Sequence, residues 1–122
     1  MRNNLVMPVL KWAGGKRQLL DTFQPLLPSK ITSYCEPFLG GGALLFHLQP
    51  QRAIINDINE DLIRVYRVIR DDVEALIAAL ENHANTAEHF YTVRSWDREP
   101  EFYNSLSDIE KAARTIYLNK TC

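Results

Sequence analysis

Two cysteines, Cys35 and Cys122, are all that the 122 residues contain. No disulfide framework follows from them, and a lone Cys in a strand is expected to be a small core residue. No run approaches the roughly 18 apolar residues of a membrane span, and nothing near the start reads as a signal peptide. The expected location is therefore cytoplasmic. Neither sign of charge is in excess: 14 basic residues face 15 acidic ones, so no overall field argues for nucleic acid. His47, His83 and His89 lack metal-ligand spacing with Cys or carboxylates, and no metal is expected. A Ser-His-Asp or Cys-His nucleophile arrangement is missing, as are repeats and low-complexity tracts. Glycine is scarce too, with five residues confined to positions 14–15 and 40–42.

What remains is an ordinary soluble composition, 46% hydrophobic and 24% charged, enough for one modest core. Two segments carry most of the information. Cys35-Glu-Pro-Phe-Leu-Gly-Gly-Gly42 is an acidic residue and a glycine turn after a short apolar run. Ile54-Ile-Asn-Asp57 is a β-branched run ending in a carboxylate. Glycine tolerates positive φ and lets the backbone approach a ligand, and an Asp ending the next parallel strand accepts ribose hydroxyls. The pair predicts an adenosine-containing ligand at the carboxyl ends of two strands. Leu45 stands where G-x-G-x-x-G would place its third glycine, so the motif is incomplete. The bland alternative is a glycine-rich turn beside an Asp that caps a helix.

Lys11-Trp-Ala-Gly-Gly-Lys16 is a second glycine turn with basic flanks. A P-loop would need glycine at position 10 and Ser or Thr at 17, where Leu10 and Arg17 stand, so that reading fails. Trp12 can instead cover an adenine or methionine-like group, or simply anchor the N-terminus.

The periodicity predicts an extended segment over 7–10 and a helix over 16–27 that Pro25 and Pro28 keep irregular. A strand is expected over 32–35, then a helix over 43–48 ended by Pro50. The strand over 53–56 is continuous and β-branched, as in a sheet covered on both faces. Asn59 caps a helix carrying Leu62, Val65, Tyr66 and Ile69, and a helix restarts at Asp71 or Asp72. Residues 83–88 read as loop and 90–96 as a short helix. Ser107 and Glu110 form a capping box for a helix with Ile109, Ala112, Ala113, Ile116 and Tyr117 inward. Tyr91, Arg94, Arg98, Tyr103 and Arg114 interleave aromatics with arginines, a mix that suits phosphate and base contacts or a solvated helical face.

Four motifs in order resemble the Dam-type (D12 class) DNA adenine-N6 methyltransferases. They are Lys11-Trp-Ala-Gly-Gly-Lys-Arg-Gln-Leu-Leu20, Glu36-Pro-Phe-Leu-Gly-Gly-Gly-Ala-Leu44, Ile55-Asn-Asp-Ile-Asn59 and Ala112-Ala-Arg-Thr-Ile-Tyr-Leu-Asn-Lys120. The resemblance implies an α/β, Rossmann-like methyltransferase fold that binds S-adenosylmethionine. It divides the chain into the start of the cofactor domain (1–82) and the start of a helical target-recognition region (83–122). Trp12, Lys16, Glu36, Phe38, Gly40, Gly42, Asp57 and Ile58 are the implied cofactor residues. Lys11, Arg94 and Asn119 are those implied for double-stranded DNA, with GATC as a possible site.

The sequence departs from the family at one point. Members carry an Asp/Asn-Pro-Pro-Tyr/Phe motif that holds the flipped adenine, and no Pro-Pro pair occurs here. No catalytic residue is assigned, and the parallel sheet is expected to be incomplete. The last helix reaches Cys122 without a C-cap glycine or proline, so the expectation is an N-terminal fragment. A non-catalytic cofactor- or DNA-binding module is the alternative, and a nicotinamide-binding domain is a third reading that leaves Trp12 and Lys16 without a role.

Overall fold

The computed structural model describes residues 6–12 and 16–122, so positions 13–15 of the expected first glycine turn lie outside it. The chain forms two compact units, Met1–Ile58 and Asn59–Cys122. Positions 82 and 83, between the two expected functional regions, lie at the end of a long helix within the second unit.

In the first unit, the helix expected over 16–27 is broken into three pieces. A 3-10 turn Arg17–Leu19 leads into α1 (Leu20–Phe23), and a second 3-10 turn spans Gln24–Leu26. Pro25 offers no N–H and its ring opposes the carbonyl four residues back, so a regular α-helix cannot run through. The segment at 7–10 is irregular rather than a strand, although Leu10 is buried. Strand β1 (Tyr34–Glu36) pairs in parallel with β2 (Ala53–Ile55), in the register Tyr34 to Ala53, Cys35 to Ile54 and Glu36 to Ile55. Helix α2 (Ala43–Leu48) makes the crossover that parallel strands require. It ends on Gln49, whose φ of 47° is left-handed, followed by Pro50.

Partners in register share a face, so Cys35 and Ile54 point the same way. That face is open: Cys35 is exposed and Ile54 is 71% exposed. The expectations of a buried Cys35 and of a strand covered on both faces are therefore corrected. β-branching marked the strand but not its cover, because cover comes from other elements.

The second unit is helical. Helix α3 (Glu60–Glu81) starts under Asn59, whose side chain accepts from Leu62 N at 3.0 Å. It kinks at Asp72 (φ −157°, ψ 59°), where the expected restart occurs. Helix α4 (Ala87–Arg94) runs into a 3-10 turn Ser95–Arg98. A helix that periodicity did not reveal, α5 (Pro100–Ser105), begins at Pro100, a residue suited to a first turn. Helix α6 (Asp108–Thr121) carries the capping box: Glu110 N donates to Ser107 Oγ at 3.1 Å, and Ser107 N donates to Glu110 Oε1 at 3.0 Å. Leu62, Val65 and Leu76 of α3 are buried, as are Val93 of α4 and Ala112, Ala113, Ile116 and Tyr117 of α6. The two alanines let α3 and α6 pack closely.

Arg114 lies inside this unit, at 8% exposure. Its Nε and Nη2 donate to the carbonyls of Val93 and Arg94, each at 3.1 Å. Those carbonyls lie at the end of α4, where intrahelical donors run out, and the Val93 carbonyl also accepts a backbone N–H at the cap. Asp97 stands 3.5 Å from the guanidinium, and the Tyr103 ring centroid lies 5.3 Å from it. Arg114 and half-buried Tyr103 thus leave the set of expected nucleic-acid contacts, since they build the fold. Arg114→Met should destabilise the chain by about 2–4 kcal/mol in urea unfolding, because the buried Val93 carbonyl and the part-buried Arg94 carbonyl lose a charged donor.

His83 stacks on Tyr117 (4.8 Å between centroids, 17° between planes), and its Nδ1 lies 2.9 Å from His89 Nε2. Burial first, and then the charge of His89, push the His83 pKa below the ordinary imidazole value. The unfolded chain therefore takes up that proton first. The stability contributed by neutral His83 is full above about pH 6.5 and is lost as pH falls toward the lowered folded value. Melting temperature should drop from pH 7 to pH 5, and drop less in His83→Phe, as read by circular dichroism.

Candidate functional site

The parallel pair brings the carboxyl ends of β1 and β2 to one edge. The ladder continues beyond the strands: Asn56 N donates to Glu36 O at 2.8 Å, and Leu39 N donates to Asn56 O at 3.0 Å. This zipping carries Asp57 opposite the glycine turn, where Gly40 N donates to Asp57 Oδ2 at 2.9 Å. Two residues of the turn need left-handed backbone, Gly40 at φ 56° and Gly42 at φ 80°. Gly42 N closes the turn on Leu39 O at 3.0 Å.

Trp12 and Leu10 lie over this turn. A Cβ at Gly40 would stand 3.4 Å from Trp12 Cδ1. A Cβ at Gly41 would stand 3.1 Å from the Leu10 carbonyl oxygen and 3.4 Å from Trp12 Cβ. The glycines therefore allow the preceding N-terminal segment to close on the turn.

Glu36 is a buried acid, 7% exposed. Lys16 Nζ pairs with its Oε1 and Tyr34 donates its hydroxyl to Oε2, so each carboxylate oxygen has a partner. Lys16 also donates to the Phe38 carbonyl at 3.1 Å, which ties the lysine to the turn. Burial, and then the Glu36 bond and charge, raise the Tyr34 pKa well above the usual phenol value, so the hydroxyl remains a donor at any ordinary pH.

The structure thus gathers Trp12, Lys16, Glu36, Gly40, Gly42 and Asp57 in the first unit. Phe38 and Ile58 belong to the same unit with open side chains, 77% and 99% exposed. Lys11 is exposed and also in the first unit, whereas Arg94 and Asn119 belong to the second. Arg94 and the exposed Tyr91 line a surface hollow with Phe90, Thr86 and Thr121. Asn119 is half-buried on α6. Among the described residues, no group of three or more His, Cys, Asp or Glu could hold a metal ion, and no helix is long and apolar enough to cross a membrane.

Sequence reasoning missed Tyr34. Its signal was available, since residues i and i+2 of a strand share a face and Tyr34 stands two before Glu36. A hollow of the first unit, lined by Lys30, Ser33, Gln51 and Arg52 among others, is at the amino ends of the strands. Ligands of open parallel sheets bind at the carboxyl ends, so that hollow is not the candidate.

Residues 12–122 match the profile of the D12 class N6 adenine-specific DNA methyltransferases. The chain belongs to this family. It is 48% identical to the type II methyltransferase M1.LlaDCHI of Lactococcus lactis subsp. cremoris, over 91% of this chain and 39% of that protein. It is 39% identical to the type II methyltransferase M.MjaIII of Methanocaldococcus jannaschii, over 96% of this chain and 46% of that protein. The DNA adenine methylase of Haemophilus influenzae is 33% identical over 93% of this chain and 40% of its own length. The chain thus spans less than half the length of these curated relatives.

In this D12 class chain the glycine turn is the most constrained backbone of the site. Gly40→Ala should cost about 1–2 kcal/mol, since an L-residue is forced into left-handed backbone beneath Trp12. Chemical unfolding measures that loss.

Proposed function

We propose that this chain supplies the cofactor half of a DNA adenine-N6 methyltransferase that uses S-adenosylmethionine, on a Rossmann-like sheet. The observation that carries the reading is the Gly40 amide on Asp57, beside the Lys16–Glu36 pair, at one carboxyl edge of a parallel sheet in a D12 class chain. The donor set suits the cofactor. Its ribose hydroxyls need a fixed carboxylate, and Asp57 is held in orientation by Gly40. Its amino-acid end carries one positive and one negative charge, and Lys16 with Glu36 offers one of each. Its adenine needs an apolar cover, which the exposed Ile58 and Phe38 provide. Half-buried Trp12 packs against the turn.

When bound, the cofactor supplies an electrophilic methyl group on a sulfonium. The residues of this chain bind and orient it, which is how a methyl-transfer site gains rate through proximity. No Pro-Pro pair lies in the 122 residues, so the motif that would hold the target adenine is not among them. The chain is accordingly assigned no catalytic residue. Lys11, Arg94 and Asn119 are proposed to face double-stranded DNA in the whole enzyme, with GATC the first site to test and a cytoplasmic location the natural one. The segment from residue 83 onward is proposed to open the target-recognition region.

Calorimetric titration with S-adenosylmethionine, with NAD as control, tests the reading. Binding of the first alone supports it, and binding of NAD alone would replace it with a nicotinamide domain. Asp57→Ala should weaken S-adenosylmethionine binding by about 1.5–3 kcal/mol through loss of a charge-assisted contact. Unchanged affinity in that variant would remove Asp57 from the site.

A further inference from the structure

Glu36 is the one acid among the described residues that is both buried and flanked by two side-chain donors, Lys16 on one oxygen and Tyr34 on the other. A buried carboxylate with a single partner can rotate about its last bond, and its second oxygen then stays unsatisfied at a cost. A second donor removes that freedom. Tyr34 can serve because it lies two residues before Glu36 on β1, where side chains share a face. It is half-buried, and its strand position is fixed by Tyr34 N donating to Arg52 O at 3.0 Å. Lys16 has a second anchor of its own, the Phe38 carbonyl. Strand, carboxylate, lysine and turn therefore form a chain of contacts that starts at the Tyr34 hydroxyl.

We propose that Tyr34 is a positioning residue of the cofactor site: its hydroxyl holds Glu36 so that the carboxylate keeps Lys16 in place, presenting an anion and a cation as a fixed pair to the amino-acid end of the ligand. This rests on the S-adenosylmethionine reading above. Tyr34 touches no reacting atom and acts only through Glu36 and Lys16. The consequence is selective. Loss of the hydroxyl should impair recognition of the charged amino-acid end and leave the nucleoside end, held around Asp57, unaffected. A residue that merely filled space in the fold would weaken both ends alike.

The test compares Tyr34→Phe with the unaltered protein in two measurements, each on the whole 122-residue chain. The first is amine labelling by acetic anhydride with mass-spectrometric readout per lysine, which needs no ligand. Lys16 labelling should rise several-fold in the variant while Lys30, Lys111 and Lys120 stay unchanged. The second is calorimetric affinity for S-adenosylmethionine and for 5′-methylthioadenosine, which lacks the amino-acid end. The variant should lose about ten-fold for the former, the worth of a hydrogen bond to a charged group, and keep its affinity for the latter. A thermal melt within a few degrees of the parent protein certifies the fold. Unchanged Lys16 labelling, or an equal loss for both ligands, overturns the role given to Tyr34 while the cofactor reading stands. If the unaltered protein binds neither nucleoside, the cofactor reading falls, and the labelling result then decides alone whether Tyr34 governs Lys16.

Discussion

Parallel pairing of β1 with β2 is the constraint on which the first unit depends. Antiparallel strands would send their carboxyl ends to opposite edges, and Glu36 and Asp57 would then be separated by the length of the sheet. In parallel they emerge side by side, and the ladder keeps running past both strands through Asn56 and Leu39. Such pairing demands a crossover, and α2 provides it in six residues. The glycine turn is the entry to that crossover. Its left-handed residues are needed because the chain must reverse at once from a strand into a helix that packs back on the same unit.

How much of this was legible depended on whether the signal was local. Asn59, Ser107 and Glu110 satisfy backbone donors within three residues of themselves, so the starts of α3 and α6 could be read directly. Asp72 behaves likewise, and the kink sits where an Asp can offer Ala75 N a new cap. The glycine turn was also readable, because only glycine sits easily at φ 56° and 80°. What it faces was not. Gly41 is small because of Leu10 and Trp12, residues thirty positions earlier, and no spacing rule reports that. Cys35 and Ile54 failed for the same reason in reverse: their apolar character predicted cover that this fold does not place on them.

Arg114 shows how composition misleads when charge is used internally. Arginines interleaved with tyrosines resemble a nucleic-acid surface, yet here a guanidinium ends a helix. Arginine suits the task because its planar fork meets two successive carbonyls at once, which a lysine ammonium cannot do with the same geometry. The carboxylate of Asp97 and the ring of Tyr103 complete its surroundings, so the buried charge is compensated on each side. Removing Arg114 and Tyr103 from the set leaves Tyr91, Arg94 and Arg98, all exposed and the first two sharing one hollow, as the part of the pattern consistent with an outward role.

The same logic of compensation separates the two acids of the candidate site. Asp57 is half-buried and is oriented by a backbone amide, a partner that substitution cannot remove. Glu36 is buried and depends on two side chains, Lys16 and Tyr34, either of which a single substitution can delete. A carboxylate oriented by a backbone amide suits a hydrogen-bonding ligand group such as a ribose. One held against a lysine suits a ligand end that carries both signs, because each half of the ion pair can answer its opposite. Under the proposed function, Asp57 answers the ribose and the Lys16–Glu36 pair the zwitterionic end of the ligand.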